Sequence, residues 1–369
     1  MRKKFFKNLE WSIVIVTILL VIIGLFAIYS AAASTEEYEF HRQLMWTAIA
    51  IPITALVMFV DYKFWAKLSP IFYGIVLISL GAVLFTSARN GASSWFQIGD
   101  ILIQPSEFAK IAVILLLSLL ISKMRKRSED EMSRPTRTLL LVIIFAIPTA
   151  LIVLQPDYGT AAAFIMAFAL ILFTSGIKKR WIIITVIIVA VAVPLIYTYV
   201  LPEHAKSRIQ TFMNPESDPR GAGYNIAQSK LAIGSGQLLG MGYMKGNQTQ
   251  LGYLYPKTSD FIFSVIGEEM GFVVAGGIII LYVILITKAL AVAKTAKDSL
   301  GTAIASGIAG IFLFHMIENI GMTMGLLPIT GVPLPFVSYG GSSLISNFIM
   351  IGMLLNISGR RQKNLFEEE

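Results

Sequence analysis

The chain has 369 residues, of which 56% are hydrophobic and 14% charged, whereas soluble domains hold about half apolar and about a quarter charged residues. It contains no cysteine, which excludes disulfides, thiolate metal sites and cysteine nucleophiles. The net charge of +8 does not indicate nucleic-acid binding, because the basic residues lie in short links between apolar stretches. We therefore expect an integral membrane protein.

Ten apolar stretches predict membrane-spanning helices. The first carries no charge over residues 11–33, which is long enough to cross a hydrocarbon core of ~30 Å. It ends in three alanines, as a signal peptide does, but it is too long for one and further stretches follow. The predicted helices cover residues 11–33, 44–60, 68–86, 105–122, 139–154, 158–175, 181–200, 261–287, 299–325 and 342–357.

The links between these helices form two alternating sets, which hold 21 and 8 of the 30 Lys and Arg residues. The richer set faces the cytoplasm by the positive-inside rule. We therefore predict an all-α, single polytopic membrane domain over residues 1–369, with both termini cytoplasmic. Residues 201–260 are predicted to form one long extracytoplasmic loop between helices seven and eight. Its glycine-rich run, residues 234–242, predicts close backbone approach to a ligand, or else a flexible connector.

Charged side chains inside the predicted spans are costly, so each one needs a reason. Glu107 and Lys110 have the i, i+3 spacing of a helical ion pair, although an anionic ligand could compete for Lys110. Asp157 is placed to cap the sixth helix. Lys206 and Arg208 follow the seventh span and could hold a phosphate or pyrophosphate, or reach lipid headgroups.

The densest polar cluster surrounds the start of the eighth span. Asp260 either caps this helix or serves as a base, since partial dehydration raises the pKa of a carboxylate toward the useful range. Glu268 and Glu269 are expected ~12 Å further into the span. A last outer segment, residues 327–343, is rich in proline and glycine, and such backbone is tolerated at membrane depth only inside protein or along a cavity.

Four segments of the chain carry a recognisable pattern: Gln104–Lys110, Gln155–Thr160, Asp260–Glu269 and Pro333–Ser343. Together they resemble the SEDS family (shape, elongation, division and sporulation). They occur in the order of the family and across the predicted spans, so the resemblance covers nearly the whole chain.

The resemblance implies a peptidoglycan glycosyltransferase in the bacterial cytoplasmic membrane, with its active site facing outward. It is closest to the elongation member, and the division member remains possible. It implies lipid II as substrate and, as partners, a class B penicillin-binding protein and the elongation machinery. The essential aspartate of the family falls on Asp260. The sequence departs from the family pattern at two places. The segment before Asp260 is one residue shorter and lacks the usual histidine, and Ser94 replaces the usual arginine.

The remaining site predictions concern substrate and metal. Trp95, Ser338 and Ser342 join Lys110, Arg208, Glu107 and Asp157 as candidate substrate-binding residues. A divalent cation, Mg²⁺ or Mn²⁺, near Glu107 or Asp157 could assist the departing pyrophosphate. The small residues Gly301–Gly307 are expected either to receive the helix of the penicillin-binding protein or to pack within the bundle. Two other functions stay open, a lipid II flippase and a non-catalytic scaffold for that partner.

Overall fold

The computed structural model describes residues 2–33, 37–86, 93–127, 134–176, 206, 210–214, 216, 218, 219 and 221–361. Within these ranges the regular structure is helical apart from one antiparallel hairpin, in which Phe96 pairs with Ile103. The helices are α1 (Arg2–Asn8), α2 (Trp11–Ala32), α3 (Glu37–Phe59), α4 (Tyr62–Val83), α5 (Pro105–Arg127), α6 (Pro135–Leu154), α7 (Tyr158–Thr174), α8 (Ala222–Ser235), α9 (Asn247–Gln250), α10 (Ile262–Thr295), α11 (Ser299–Thr323) and α12 (Gly341–Gly359), and the strands are β1 (Phe96–Ile98) and β2 (Ile101–Ile103).

Seven of the described helices are long and apolar enough to cross a membrane, namely α2, α3, α4, α6, α10, α11 and α12. Helix α5 stands where the fourth span is predicted, and α7, with 17 residues, stands at the sixth. The predicted seventh span, residues 181–200, lies outside the described residues. A mostly helical, multi-pass membrane protein is thus confirmed, while the count of ten spans stays a prediction.

Several helices extend beyond the predicted spans. Helix α3 begins at Glu37 rather than at residue 44, and α10 continues to Thr295 rather than to residue 287. Helix α4 begins at Tyr62 rather than at residue 68, where the carboxylate of Asp61 caps it by accepting from the Lys63 N–H at 2.9 Å. Hydropathy marks only the part of a helix that suits hydrocarbon, whereas the backbone helix continues into polar surroundings as long as its ends are satisfied.

Helices α2 and α10 run antiparallel, and contacts at their two ends fix their relative level. Glu10 pairs with Lys288 at 3.2 Å, and the Ser30 hydroxyl donates to the carboxylate of Glu269 at 2.5 Å. The twenty residues between Glu10 and Ser30 correspond to ~30 Å of helix, about one hydrocarbon thickness. Glu269 therefore lies level with the end of α2. Glu269 lies about two helical turns after the start of α10, in keeping with the expected position along the helix, and its depth in a membrane stays a prediction.

Helix α11 lies at the centre of the bundle and is mostly buried. A Cβ atom added at Gly307 would come within 3.0 Å of side chains of both α5 and α7, and one at Gly310 within 2.8 Å of the Ala167 Cα. The small residues of α11 therefore allow helices of the same chain to approach closely. The packing alternative for Gly301–Gly307 is confirmed, and the expectation that this stretch receives a partner helix is wrong.

Helix α10 is interrupted at Gly271, whose φ of 75° suits glycine. The glycine-rich run lies directly against this interruption: a Cβ atom at Gly236 would meet the Gly267 carbonyl oxygen at 1.8 Å. Four backbone hydrogen bonds join the glycine-rich run to α10. They run from Met241 N to Glu268 O (2.9 Å), Gly242 N to Glu269 O (3.1 Å), Phe272 N to Gln237 O (2.8 Å) and Val273 N to Leu238 O (3.2 Å). The glycines thus allow close approach to α10 itself rather than to a ligand.

The side chains of Glu268 and Glu269 bind the segment that follows the glycine-rich run. Glu268 accepts from the backbone N–H of Gln248 (2.7 Å) and from both the N–H and the hydroxyl of Thr249 (3.0 and 2.6 Å). Glu269 accepts from the Gln250 amide at 2.8 Å and the Met244 N–H at 3.2 Å. These contacts explain two adjacent buried acids, because each carboxylate accepts from loop donors that would otherwise be buried without partners.

Candidate active site

Asp260 lies in the turn that leads into α10 and is half-buried. The N-cap of α10 is Phe261, one residue further along the chain, and capping of this helix by the Asp260 side chain stays an alternative. The carbonyl oxygen of Asp260 accepts a hydrogen bond at 3.0 Å from Nδ2 of Asn319 in α11. The backbone at Asp260 is thereby fixed from the bundle interior, while the residue keeps part of its surface accessible, as a group that reaches a substrate must.

Residues 327–340 of the outer segment precede α12, and they lie against the Asp260 turn. Three of its carbonyl groups accept hydrogen bonds from buried side chains: Val332 from Asn319 (2.9 Å), Pro333 from His315 (3.0 Å) and Pro335 from Tyr282. Irregular backbone at membrane depth must find its partners inside the protein. These buried donors satisfy carbonyl groups that the irregular backbone of the proline-rich segment would otherwise leave without partners.

Ser338 joins the outer segment to the Asp260 turn. Its hydroxyl donates to the Ser259 carbonyl at 2.7 Å and accepts from the Leu334 N–H at 2.8 Å, and the side chain is buried. The adjacent Tyr339 N–H donates to the Thr258 carbonyl at 2.9 Å. The structure thus uses the Ser338 hydroxyl to hold two loops together, and a direct contact with substrate stays a prediction.

Gly331 faces the carboxylate of Asp260. A Cβ atom built at Gly331 would lie 3.4 Å from Oδ2 of Asp260, and the φ of Gly331 is 74°. Glycine is therefore required at this position by its backbone conformation, and its lack of a side chain keeps the space beside the carboxylate open. The outer segment thus forms one wall of the surroundings of Asp260.

Glu107 and Lys110 form a fully buried ion pair near the start of α5. The ammonium of Lys110 lies 2.8 Å from the carboxylate of Glu107, and both side chains are at most 1% exposed. The hydroxyl of Ser346 in α12 donates to the same carboxylate at 2.6 Å. The predicted i, i+3 pair is confirmed, and its burial means that binding of pyrophosphate by Lys110, which stays a prediction, requires this pair to open.

His315 extends this pair toward the outer segment. Its Nδ1 lies 3.0 Å from the Pro333 carbonyl, which can only accept, so Nδ1 carries the proton. Nε2 then accepts from the Lys110 ammonium at 3.3 Å. A continuous chain of hydrogen bonds thus joins α12, α5 and α11 to the backbone of the outer segment.

Asp157 caps α7, as predicted, by accepting from the Thr160 N–H at 3.1 Å. Its second carboxylate oxygen accepts from the side chains of Gln104 (3.0 Å) and Ser106 (3.4 Å), which precede and begin α5. Burial raises the pKa of Asp157, while the hydrogen bonds from Thr160 lower it. Asp157 therefore holds the starts of α5 and α7 together.

The surroundings of Glu107 and Asp157 do not suit a divalent cation. The described part of the chain brings together no group of three or more His, Asp or Glu residues that could hold a metal ion. Glu107 is neutralised by Lys110, and both oxygens of Asp157 accept from nitrogen or hydroxyl donors. The divalent cation therefore stays a prediction, and the reaction proposed below does not involve it.

The other candidate residues occupy varied positions. Ser342 lies at the start of α12 and ties it to the hairpin, donating to the Leu102 carbonyl at 3.3 Å and accepting from the Gln104 N–H at 3.2 Å. Trp95 directly precedes β1 and is half-buried. Arg208 lies outside the described residues. Roles in substrate binding for all three stay predictions.

Sequence reasoning missed the polar face of α11. His315 and Asn319 are fully buried, and the carboxylate of Glu318, also buried, accepts from the Thr330 hydroxyl at 2.7 Å. Histidine and asparagine at i and i+4 within an apolar helix lie on one face. That spacing was the signal that could have identified them, because two polar groups sharing one buried face need common partners.

Comparison with known proteins identifies the family. A family profile for FtsW, RodA and SpoVE, described as cell cycle proteins, matches residues 10–363. Peptidoglycan glycosyltransferase MrdB of Escherichia coli (strain K12) is 36% identical over 352 residues, which cover 94% of each chain. Peptidoglycan glycosyltransferase RodA of Treponema pallidum (strain Nichols) is 33% identical and covers 98% of this chain and 100% of its own.

A solved structure supports the same assignment. The chain superposes with a TM-score of 0.79, at 26% identity, on a protein of a peptidoglycan synthase complex whose structure is described as coordinating polymerization and crosslinking. The match covers 95% of this chain and 97% of the solved one. The resemblance that the four sequence motifs indicate is therefore confirmed, and this chain belongs to the FtsW, RodA and SpoVE family of cell cycle proteins.

Proposed function

We propose that this chain, a peptidoglycan glycosyltransferase by its family and relatives, polymerises lipid II with Asp260 as the general base. The observation that carries the proposal is the setting of Asp260. It is half-buried, it is fixed through its backbone by Asn319, and it faces the open position at Gly331. A carboxylate held in place but accessible is what proton abstraction from a bound hydroxyl requires.

The proposed reaction is a single displacement. Asp260 accepts the proton of the acceptor sugar 4-hydroxyl as its oxygen attacks the anomeric carbon of the donor. The bond from that carbon to the pyrophosphate oxygen breaks, and undecaprenyl pyrophosphate leaves with the bonding electron pair. Attack from the opposite face converts an α-linked donor into a β-linked product by inversion. Positive charge near the leaving group favours its departure. Lys110 and Arg208 remain the candidates for supplying that charge.

We further propose that the chain lies in the cytoplasmic membrane with both termini inside and Asp260 outside, in a bundle of ten spans. The distribution of basic residues, 21 against 8 between the two sets of links, supports this orientation. A cysteine introduced at Ser217 should react with an impermeant maleimide in intact cells, whereas a cysteine at Ser128 should not. Because the natural chain has no cysteine, the label reports only the introduced site. Labelling at Ser128 alone would overturn the orientation.

The activity itself is tested with purified protein and fluorescent lipid II. A polymerase produces a ladder of glycan chains on a gel. A flippase makes no polymer but moves labelled lipid II across liposome membranes, and a scaffold does neither while raising the activity of its partner. The absence of polymer from well-folded protein with its partner supplied would contradict the proposal.

We propose that a class B penicillin-binding protein docks its membrane helix on the lipid-facing side of α10 and α11 as part of the elongation machinery. A groove of about 360 Å³ runs between these helices and is lined by apolar side chains, including Ile279, Ile317 and Met324. Ile280 on α10 is exposed nearby. An apolar groove beside exposed apolar residues suits a transmembrane helix of a partner.

This docking surface is tested by filling the groove. Ile317→Trp should abolish co-purification with the partner. Ile78→Trp is the matched control, because Ile78 is an exposed isoleucine on α4, away from the groove. Loss of the partner in both variants, or in neither, would exclude the proposed surface.

A further inference from the structure

We infer that Asn319 is a positioning residue for the reaction, because its single side-chain amide fixes both Asp260 and the outer segment that faces it. This inference rests on the proposed function, since it assumes that Asp260 is the base. Asn319 itself is fully buried in α11. It therefore acts on the reaction only through the residues that it holds.

The hydrogen bonds of Asn319 are directed by their acceptors. Nδ2 lies 3.0 Å from the Asp260 carbonyl and 2.9 Å from the Val332 carbonyl. Carbonyl oxygens only accept, so both must face the amino group, and both of its protons are used. The orientation of the amide is therefore set by the two loops.

The other half of the amide has no comparable role within the described structure. Oδ1 of Asn319 is buried and accepts no hydrogen bond there. Buried polar atoms normally have partners, and an exception calls for a reason. The reason here is that the position requires the two donors, which no smaller or apolar side chain supplies in this geometry.

The two acceptors lie on either side of the space beside the Asp260 carboxylate. Val332 follows Gly331, whose missing Cβ would lie 3.4 Å from Oδ2 of Asp260. At the start of α10 the Ser264 N–H donates to the Phe261 carbonyl at 2.9 Å, one residue beyond Asp260. Asn319 thus holds one residue on each side of this space, and its loss lets the carboxylate and the facing wall move apart.

The test compares two asparagines that make the same kind of contact. Asn356 in α12 is also fully buried, and its Nδ2 also donates to two backbone carbonyls, those of Val57 (2.7 Å) and Val60. It lies near α4, where the Tyr62 N–H donates to it, at the opposite end of α12 from Ser342. Asn356→Leu therefore removes the same pair of donated hydrogen bonds far from Asp260, together with two bonds that Oδ1 of Asn356 accepts from Tyr62 and Arg360.

We expect Asn319→Leu to lower kcat for lipid II polymerisation by about 10²-fold, the loss typical of misplacing a reacting group by about 1 Å. Its KM for lipid II should stay within about threefold of the wild type, because Asn319 is too deeply buried to touch substrate. Asn356→Leu should lower the thermal midpoint at least as much but leave kcat within about threefold. Asn319→Ser, which keeps one donor, should fall between Asn319→Leu and the wild type.

The outcomes separate this inference from the function on which it rests. Unchanged kcat in Asn319→Leu, or an equal loss in Asn356→Leu, would overturn the positioning role while wild-type polymerisation stands. Absence of polymer from the wild type would instead contradict the proposed function. If Asn319→Leu fails to fold, Asn319→Ser decides, since wild-type kcat in that folded variant would also overturn the role.

Discussion

Asp260 and the pair Glu268 and Glu269 lie within ten residues of one another, yet the structure places them in different surroundings. The two glutamates are at most 2% exposed and accept hydrogen bonds from loop donors, whereas Asp260 is half-buried and faces the open position at Gly331. An acid whose lone pairs are fully engaged in the interior stabilises structure. The accessibility of Asp260, rather than the presence of a carboxylate in the motif, therefore distinguishes the candidate base.

The buried pair of Glu107 and Lys110 extends this comparison and carries the largest expected effect on stability. Lys110→Met leaves an uncompensated buried carboxylate, which should cost about 3–5 kcal/mol of unfolding free energy. The double variant Glu107→Gln, Lys110→Met should recover most of that loss. Thermal unfolding in detergent measures both. A single variant as stable as the wild type would show that the pair does not exist in the folded protein.

The second prediction addresses Glu268 as a structural acid. Glu268→Ala leaves the buried N–H groups of Gln248 and Thr249 without their acceptor, which should cost about 2–3 kcal/mol. The kcat of the protein that remains folded should change little. Asp100→Ala serves as the control, because the Asp100 side chain is 88% exposed and should be replaced without effect. If Glu268→Ala is fully stable but inactive, the assignment of roles to Asp260 and Glu268 is reversed.

The third prediction concerns the open position beside Asp260. Gly331→Ala forces a side chain into a left-handed conformation, which should cost about 1–2 kcal/mol, and places a methyl group near the carboxylate. Gly99→Ala is the matched control, because Gly99 has a φ of +60° with no other group within 4 Å. Both variants should lose similar stability, but only Gly331→Ala should lose polymerisation. Equal activity in the two would contradict a functional space at Gly331.

The smallest effect is expected at Asp298, the N-cap of α11. Burial alone would raise its pKa, but the Gly301 N–H, Lys63 and the Tyr62 hydroxyl together hold that pKa below its ordinary value. Its stabilisation is therefore present above the unfolded pKa and is lost as the pH falls through the folded pKa. Asp298→Asn should cost about 1 kcal/mol or less at pH 7.

Unfolding followed against pH tests this sign. The difference in thermal midpoint between the wild type and Asp298→Asn should shrink as the pH is lowered into the acid range. A difference that stays constant across that range would show that the charge of Asp298 contributes nothing. Unlike Asp260, this carboxylate should have no effect on kcat.

The sequence predicted most of the described long helices, and the place of Asp260 just before α10, because both depend on local signals. Apolar runs identify the helices, and Asp260 stands at the boundary between a loop and a span. The capping of α7 by Asp157 and the pairing of Glu107 with Lys110 were also predictable, since both partners lie within three residues. Such contacts follow from helix geometry alone.

The long-range contacts could not be predicted in the same way. Glu268 and Glu269 bind loop donors that lie 19 to 25 residues earlier in the chain, and His315 and Asn319 bind carbonyls 13 to 59 residues away. Nothing in a single sequence states which loop returns to which helix. The glycine-rich run left both a ligand contact and a flexible connector open for that reason, because the density of glycines does not indicate which group approaches them.

The central claim, that Asp260 is the general base, is tested most directly by the polymerisation rate of Asp260→Asn. Asparagine keeps the shape of the side chain and removes only its capacity to accept a proton, so the variant should purify with wild-type thermal stability and bind its partner normally. General-base catalysis typically contributes about 10²–10⁴-fold, and polymerisation should fall by that factor to near background. Robust glycan polymer from a well-folded Asp260→Asn protein would contradict the account.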